Sequence, residues 1–321
     1  MRSIRSCAVE TDTDHARPLL SVQGLKVQFH DSRHTAKAVD GIGFEVFSGE
    51  TVCLVGESGC GKTVSALSIL GLIPQPPGKI AQGRIEFKGD TLLGLTETEM
   101  QKIRGHQIAM VFQEPLTSLN PVFTIGHQIE EAMVAHGIVN AKEAQRRSIA
   151  LLEDVGIPAP ADRINDYPHQ LSGGQRQRVM IAMALACNPD LVIADEPTTA
   201  LDVTVQAQIL SLFSRLQKKH DMSLLYITHD LGVVSAIADR VYVMYAGIIV
   251  EQGTAREIFE APRHPYTQGL LASLPTREKR GNRLYSIPGS VPDPAHKPSG
   301  CPFHPRCPHA MPTCQSREPD L

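Results

Sequence analysis

The chain has 321 residues, 42% hydrophobic and 20% charged, with a formal net charge of −3. That composition suits a soluble globular protein with room for one large α/β domain and an appendage. The near-neutral balance carries no electrostatic footprint for nucleic acid or anionic lipid, which argues against a DNA-handling role.

Met1–Pro18 is polar, mixed in charge and without an apolar core, and is expected to be a loosely ordered tail rather than a signal peptide. Leu19–Phe29 alternates, Ala38–Phe47 resumes strand character after the polar stretch Asp31–Lys37, and Gly83–Lys88 is a third strand candidate. Together they predict a small antiparallel sheet with a turn at Ser48-Gly49-Glu50. Thr51–Val55, Ile108–Phe112, Leu191–Ala194 and Leu224–Ile227 are nearly continuous apolar runs, the pattern of parallel strands buried on both faces. Helical spacing follows in Lys62–Leu72 and Thr204–Lys219, so a doubly wound α/β core is expected.

Gly126–His136 and Ala141–Val155 read as helices, which makes residues of about 116–175 a helical insertion in that core. Arg240–Val250, broken at Ala246-Gly247, reads as a closing hairpin. Pro288–Leu321 holds nine prolines in 34 residues, which rules out long helices and central strands. The expected organisation is therefore a tail over 1–18, a main domain over 19–258 and an irregular extension over 259–321. No apolar run approaches the ~20 residues that cross a bilayer. The longest, Val179–Cys187, is about half of that, so the protein is expected to be cytoplasmic.

Gly56-Glu57-Ser58-Gly59-Cys60-Gly61-Lys62-Thr63 fits G-x-x-x-x-G-K-[ST], with an apolar strand before it and a helical pattern after it. In such a loop the glycines let successive N–H groups face phosphate oxygens, and the helix N-terminus adds partial positive charge. Lys62 is then expected on the β- and γ-phosphates and Thr63 on Mg²⁺, with the loop through Val64 contacting the nucleotide. Cys60 fills a variable position. Leu191–Glu196 is an apolar strand ending in two carboxylates. Ligands gather at the carboxyl ends of parallel strands, so Asp195 is expected to hold Mg²⁺ and Glu196 to orient or deprotonate the attacking water.

A phosphate loop alone leaves kinases, GTPases, helicases and motors open. The discriminating segment is Leu171-Ser172-Gly173-Gly174-Gln175, a second serine- and glycine-rich anion site at a helix start. One triphosphate seldom needs two such nests in one chain, so the second is expected to serve the nucleotide of a neighbouring subunit.

With these motifs the chain resembles the nucleotide-binding subunits of ATP-binding cassette transporters, over roughly residues 19–253. Leu171–Gln175 matches the family's signature and Asp195-Glu196 its second Walker motif. The resemblance implies that Gln113 senses Mg²⁺ and couples to a membrane partner. It also implies that Ala200-Leu201-Asp202 crosses a dimer interface, that His229 contacts the γ-phosphate and that Phe29 stacks on adenine. Two cassettes would close head to tail around two ATP molecules.

The segments His264–Leu271, Ile287-Pro288-Gly289 and Gly300–Pro308 resemble the extension of di- and oligopeptide importers and of related nickel and glutathione systems. The implied partners are two permease subunits, a second and homologous ATPase, and an extracytoplasmic peptide-binding protein, with no nucleic acid. The implied place is the cytoplasmic face of the membrane. A soluble cassette acting on DNA or ribosomes usually carries two cassettes or a long coiled-coil insert, and an exporter carries fused spans; neither feature is evident.

Cys301, Cys307 and Cys314 are spaced C-x5-C-x6-C. A disulfide suits neither a reducing compartment nor an odd count. Zinc with His304 or His309 lacks the tight C-x2-C knuckle. The family resemblance implies a [4Fe–4S] cluster, for which this segment supplies three thiolates where four are usual, with unmetallated structural cysteines and zinc as the alternatives.

Overall fold

The computed structural model describes residues 17–31, 34–199, 201–275 and 285–319. Most of the expected tail, Cys7, Ala200 and Leu321 lie outside the described residues. Among the described residues ten strands form two sheets. The first is antiparallel, in the order β2-β1-β4-β5, from β1 (Leu20–His30), β2 (Thr35–Val46), β4 (Gly78–Phe87) and β5 (Asp90–Thr91). The second runs β10-β9-β3-β8-β7-β6, from β3 (Thr51–Val55), β6 (Ile108–Val111), β7 (Leu191–Asp195), β8 (Ser223–Thr228), β9 (Arg240–Tyr245) and β10 (Ile248–Thr254). Its pairs are parallel except at the β9–β10 hairpin, so the sheet is mixed at that edge.

The apolar runs form this sheet because helices and the other sheet cover both of its faces. Every residue of β3, β7 and β8 is buried. Alternate side chains feed two cores: Cys53, Val55, Val192, Ala194, Leu224 and Tyr226 face one, and Val52, Leu54, Leu191, Ile193, Leu225 and Ile227 the other. The second core also takes the antiparallel sheet and α1 (Lys62–Ile69). The first takes the helices α4 (Ile125–Ala135), α5 (Ala141–Asp154), α7 (Gly173–Leu185) and α8 (Val203–His220).

Element ends differ from the sequence expectation where backbone contacts decide. The first helix stops three residues early: Gly71 takes φ +62° and donates to Ser68 O at 3.2 Å, while the Leu72 amide donates to Leu67 O at 2.8 Å. That pair of bonds is a Schellman stop. Strand β4 starts at Gly78, five residues before the expected Gly83, because Gly78, Lys79 and Ile80 pair with Phe29, Gln28 and Val27. Helix α2 (Glu97–Ile103) was not expected; Thr96 and Glu99 form a reciprocal capping box that starts it. Further short helices are α3 (Pro115–Ser118), α6 (Pro160–Arg163) and α9 (Leu231–Ile237), of which α9 adds Leu231, Val233 and Val234 to the first core.

The chain beyond β10 returns to the first core. Glu251 accepts from the amides of Arg263 and His264 at 2.6 and 3.0 Å, fixing the turn between α10 (Ala255–Glu260) and α11 (Pro265–Ala272). Past it, short 3-10 turns at His304–Arg306 and Pro312–Gln315 are the regular structure among the described residues, as the proline content requires. Tyr245 at the end of β9, Tyr266 of α11 and Phe303 are fully buried together, with ring centroids 4.7 to 5.4 Å apart.

Candidate active site

The parallel strands β3, β6, β7 and β8 each end in a residue or loop singled out from the sequence, and their adjacency collects these groups. Strand β3 runs into Gly56–Thr63, β6 points to Gln113, β7 ends in Asp195-Glu196, and β8 is followed by His229. The parallel register sets Val55 beside Thr228 and Asp195 beside Ile227.

The phosphate loop requires its glycines for space and for conformation. Gly59 and Gly61 take φ +80° and +104°. A Cβ at Gly61 would also stand 2.5 Å from the Ala38 carbonyl oxygen. Lys62, 4% exposed, folds back to donate to the Gly56 and Glu57 carbonyls at 2.8 and 3.0 Å. Cys60 is fully buried and burial pushes its thiol up, which keeps it protonated and unreactive.

Glu196 is the hub. Its Oε1 lies 3.7 Å from Lys62 Nζ. Its Oε2 accepts from Gln113 Nε2 at 3.4 Å and from Thr199 Oγ1 at 3.0 Å, and lies 3.2 Å from His229 Nδ1. Its backbone is left-handed, φ +45°, with the amide held by the Ile227 carbonyl at 2.9 Å. A non-glycine residue there costs about 1–2 kcal/mol, and strain of this kind concentrates where a side chain must be aimed.

Asp195, 2% exposed, accepts from Thr63 Oγ1 at 3.1 Å. Burial raises its pKa, with the Thr63 hydroxyl opposing. A buried carboxylate beside a hydroxyl is a set of hard oxygen donors that fits Mg²⁺.

Phe29 sits near the end of β1, paired with Ala36 and Gly78, its ring partly buried on the second core. Ser172 caps α7: its Oγ accepts from the Gln175 amide at 3.3 Å and Gln175 Oε1 accepts from the Ser172 amide at 3.0 Å. Asp202 caps α8 by accepting from the Val205 amide at 2.9 Å. A Cβ on Gly174 would stand 3.0 Å from Val205 Cγ1, so the signature and the Asp202 segment lie against each other. Among the described residues no hydrogen bond joins Leu171–Gln175 to Gly56–Thr63.

Thr199, Tyr266 and Arg306 were not singled out as site residues. The Tyr266 hydroxyl accepts from the Glu57 amide at 3.0 Å, and Arg306 pairs with the Glu57 carboxylate at 3.0 Å. They stand 209 and 249 residues away in the chain, beyond the reach of any local pattern.

The three late cysteines pack onto the first core, and the Cys301 amide donates to the Cys314 carbonyl at 2.9 Å. Among the described residues no group of three or more His, Cys, Asp or Glu side chains is placed to hold a metal ion. The described residues do not support the [4Fe–4S] expectation. Among the described residues no helix is long and apolar enough to cross a membrane.

A family model described as "ABC transporter" matches residues 39–199, and one described as "Oligopeptide/dipeptide transporter, C-terminal region" matches residues 250–314. The chain belongs to the ABC transporter family. The cassette is 52% identical to the dipeptide transport ATP-binding protein DppD of Bacillus subtilis over 296 residues, covering 92% of this chain and 88% of that protein. It is 53% identical to the oligopeptide transport ATP-binding protein OppD of the same organism over 304 residues, 94% of this chain and 85% of that one. The Escherichia coli DppD is 52% identical over 303 residues, covering 94% and 92%. Among solved structures, the dimeric, ADP- and phosphate-bound structure of the ATP-binding cassette MJ0796 superposes with a TM-score of 0.66. It is 27% identical and covers 74% of this chain and 99% of that one.

Proposed function

We propose that this cassette is the ATP-hydrolysing subunit of an importer of di- or oligopeptides, working at the cytoplasmic face of a membrane through permease partners. The observation that carries the ATPase reading is the convergence of Lys62, Gln113, Thr199 and His229 on the single carboxylate of Glu196. The named relatives and the matched extension support the peptide cargo.

In this reading the loop Gly56–Val64 cradles the triphosphate and Lys62 exchanges its carbonyl seats for phosphate oxygens. Thr63, Asp195 and Gln113 are the residues that would hold Mg²⁺, which supplies charge neutralisation at the phosphates. Glu196 receives the proton of the attacking water, and Gln113, Thr199 and His229 fix the carboxylate that does so. Phe29 offers its ring to adenine. Ser172 and Gln175 cap each other's amides, which leaves the Gly173 and Gly174 N–H groups of this helix start for the ATP of a second cassette, and Asp202 lies beside them at the same interface. ATP held between two chains favours the closed pair, and hydrolysis releases it, which moves the attached permeases.

Purification from gently solubilised membranes, with mass spectrometry of the complex and its ATPase rate, tests the assignment. The expected result is two permease subunits, a second cassette, an associated peptide-binding protein and peptide-stimulated turnover. Recovery with ribosomes or DNA would overturn it.

A further inference from the structure

The Gly56–Glu57 peptide is held from both sides. Its carbonyl accepts from Lys62 Nζ at 2.8 Å, and its N–H donates to the Tyr266 hydroxyl at 3.0 Å. Burial raises the pKa of Tyr266, so the hydroxyl stays neutral. The next carbonyl, of Glu57, also carries Lys62 at 3.0 Å. The Glu57 carboxylate is gripped by the Arg306 guanidinium, Nη1 to Oε1 at 3.0 Å and Nη2 to Oε2 at 3.3 Å.

Arg306 is itself fixed. Its Nε donates to the Pro288 carbonyl at 2.9 Å and its Nη1 to the Tyr245 hydroxyl at 3.4 Å, and its guanidinium lies 5.7 and 5.9 Å from the ring centres of Tyr245 and Phe303. The Arg306 side chain is 6% exposed, whereas that of Glu57 is 31% exposed. Arg306 is thus the more buried partner of the pair and brings the extension against the phosphate loop.

We infer that Tyr266 and Arg306 are positioning residues for ATP: through them the C-terminal extension sets the Gly56–Glu57 peptide that seats Lys62 and neutralises the carboxylate beside the anion nest. The inference rests on the ATPase reading above. A loop without this clasp would offer the triphosphate an unset Gly56–Glu57 backbone and an unpaired negative charge. The Arg306 fork matches the carboxylate in two bonds, so lysine would restore the charge without the geometry.

The test is equilibrium titration of the full chain with a fluorescent Mg-ATP analogue, with thermal melting alongside. Arg306→Gln is expected to weaken binding about tenfold and Tyr266→Phe, which keeps the ring in its cluster, about threefold. Arg306→Lys should fall between the native chain and Arg306→Gln. The double variant Glu57→Gln with Arg306→Gln should recover much of the loss, because the unpaired charge is gone. Native affinity in Arg306→Gln and Tyr266→Phe alongside lowered melting temperatures would reduce the clasp to a structural brace and overturn the inference. So would a double variant as weak as Arg306→Gln. Failure of the native chain to bind the nucleotide would strike the ATPase reading itself.

Discussion

Replacing Glu196 by glutamine isolates the proposed catalytic charge with little change of shape. The carboxylate takes Gln113, Thr199 and His229 on Oε2 and faces Lys62 from Oε1. A glutamine can keep its oxygen toward the first three and turn its NH2 toward Lys62. Lys62 retains the Gly56 and Glu57 carbonyls, so the fold should lose only about 1 kcal/mol. ATP affinity should hold or rise, since a negative charge leaves the phosphate site. Hydrolysis should fall about 10²- to 10⁴-fold, the usual worth of a positioned base, which is about 2.7–5.4 kcal/mol of barrier. The assay is single-turnover phosphate release by the assembled complex, with the second ATPase position inactivated so that it adds no background. Turnover within tenfold of native, at undiminished ATP binding, would remove Glu196 from the base role and leave it as a scaffold for Lys62.

Ser172→Ala removes the cap of α7 and should cost about 1 kcal/mol of stability in a denaturant melt. ATP binding by the single chain should persist while turnover by the paired cassettes drops; equal losses in both would argue against a site shared between chains. The Nδ1 of His264 accepts from the Tyr266 amide at 3.1 Å, and burial lowers the pKa of His264 from its ordinary 6.5. The folded chain then binds fewer protons than the unfolded one as pH drops through 6.5, so this residue's share of stability is present above 6.5 and lost on acidification. Melts at pH values of about 5.5 and 7.5 should therefore differ less for His264→Asn, which keeps a capping acceptor, than for the native chain.

Much of the site could be read from residue order because its chemistry is local. Gly56–Thr63 must bend around phosphate, and Asp195-Glu196 must follow a buried strand, so both leave a pattern within eight residues. The apolar runs of β3, β7 and β8 similarly declared strands covered on both faces. Helix α2 went unseen although its Thr96–Glu99 box was written in the chain, because only Met100 of its residues is fully buried and the helical stripe is faint.

Other features depended on distant partners. The five extra residues at the start of β4, Gly78–Gln82, carry Ile80 as their one large apolar side chain and become a strand only because β1 lies beside them. The gathering of Gln113, Glu196 and His229 needs the strand order β8-β7-β6, which no single segment encodes. The family resemblance implies a cluster at the three late cysteines, but the folded chain packs them onto the core with no metal-holding group among the described residues. The sequence by itself determined the bend of Gly56–Thr63, since Gly59 and Gly61 supply its left-handed backbone, and the capped start of α7 at Ser172, since cap and partner lie three residues apart. Only the tertiary structure decided that the phosphate loop is held from behind by Tyr266 and Arg306, because that contact joins residues more than 200 positions apart.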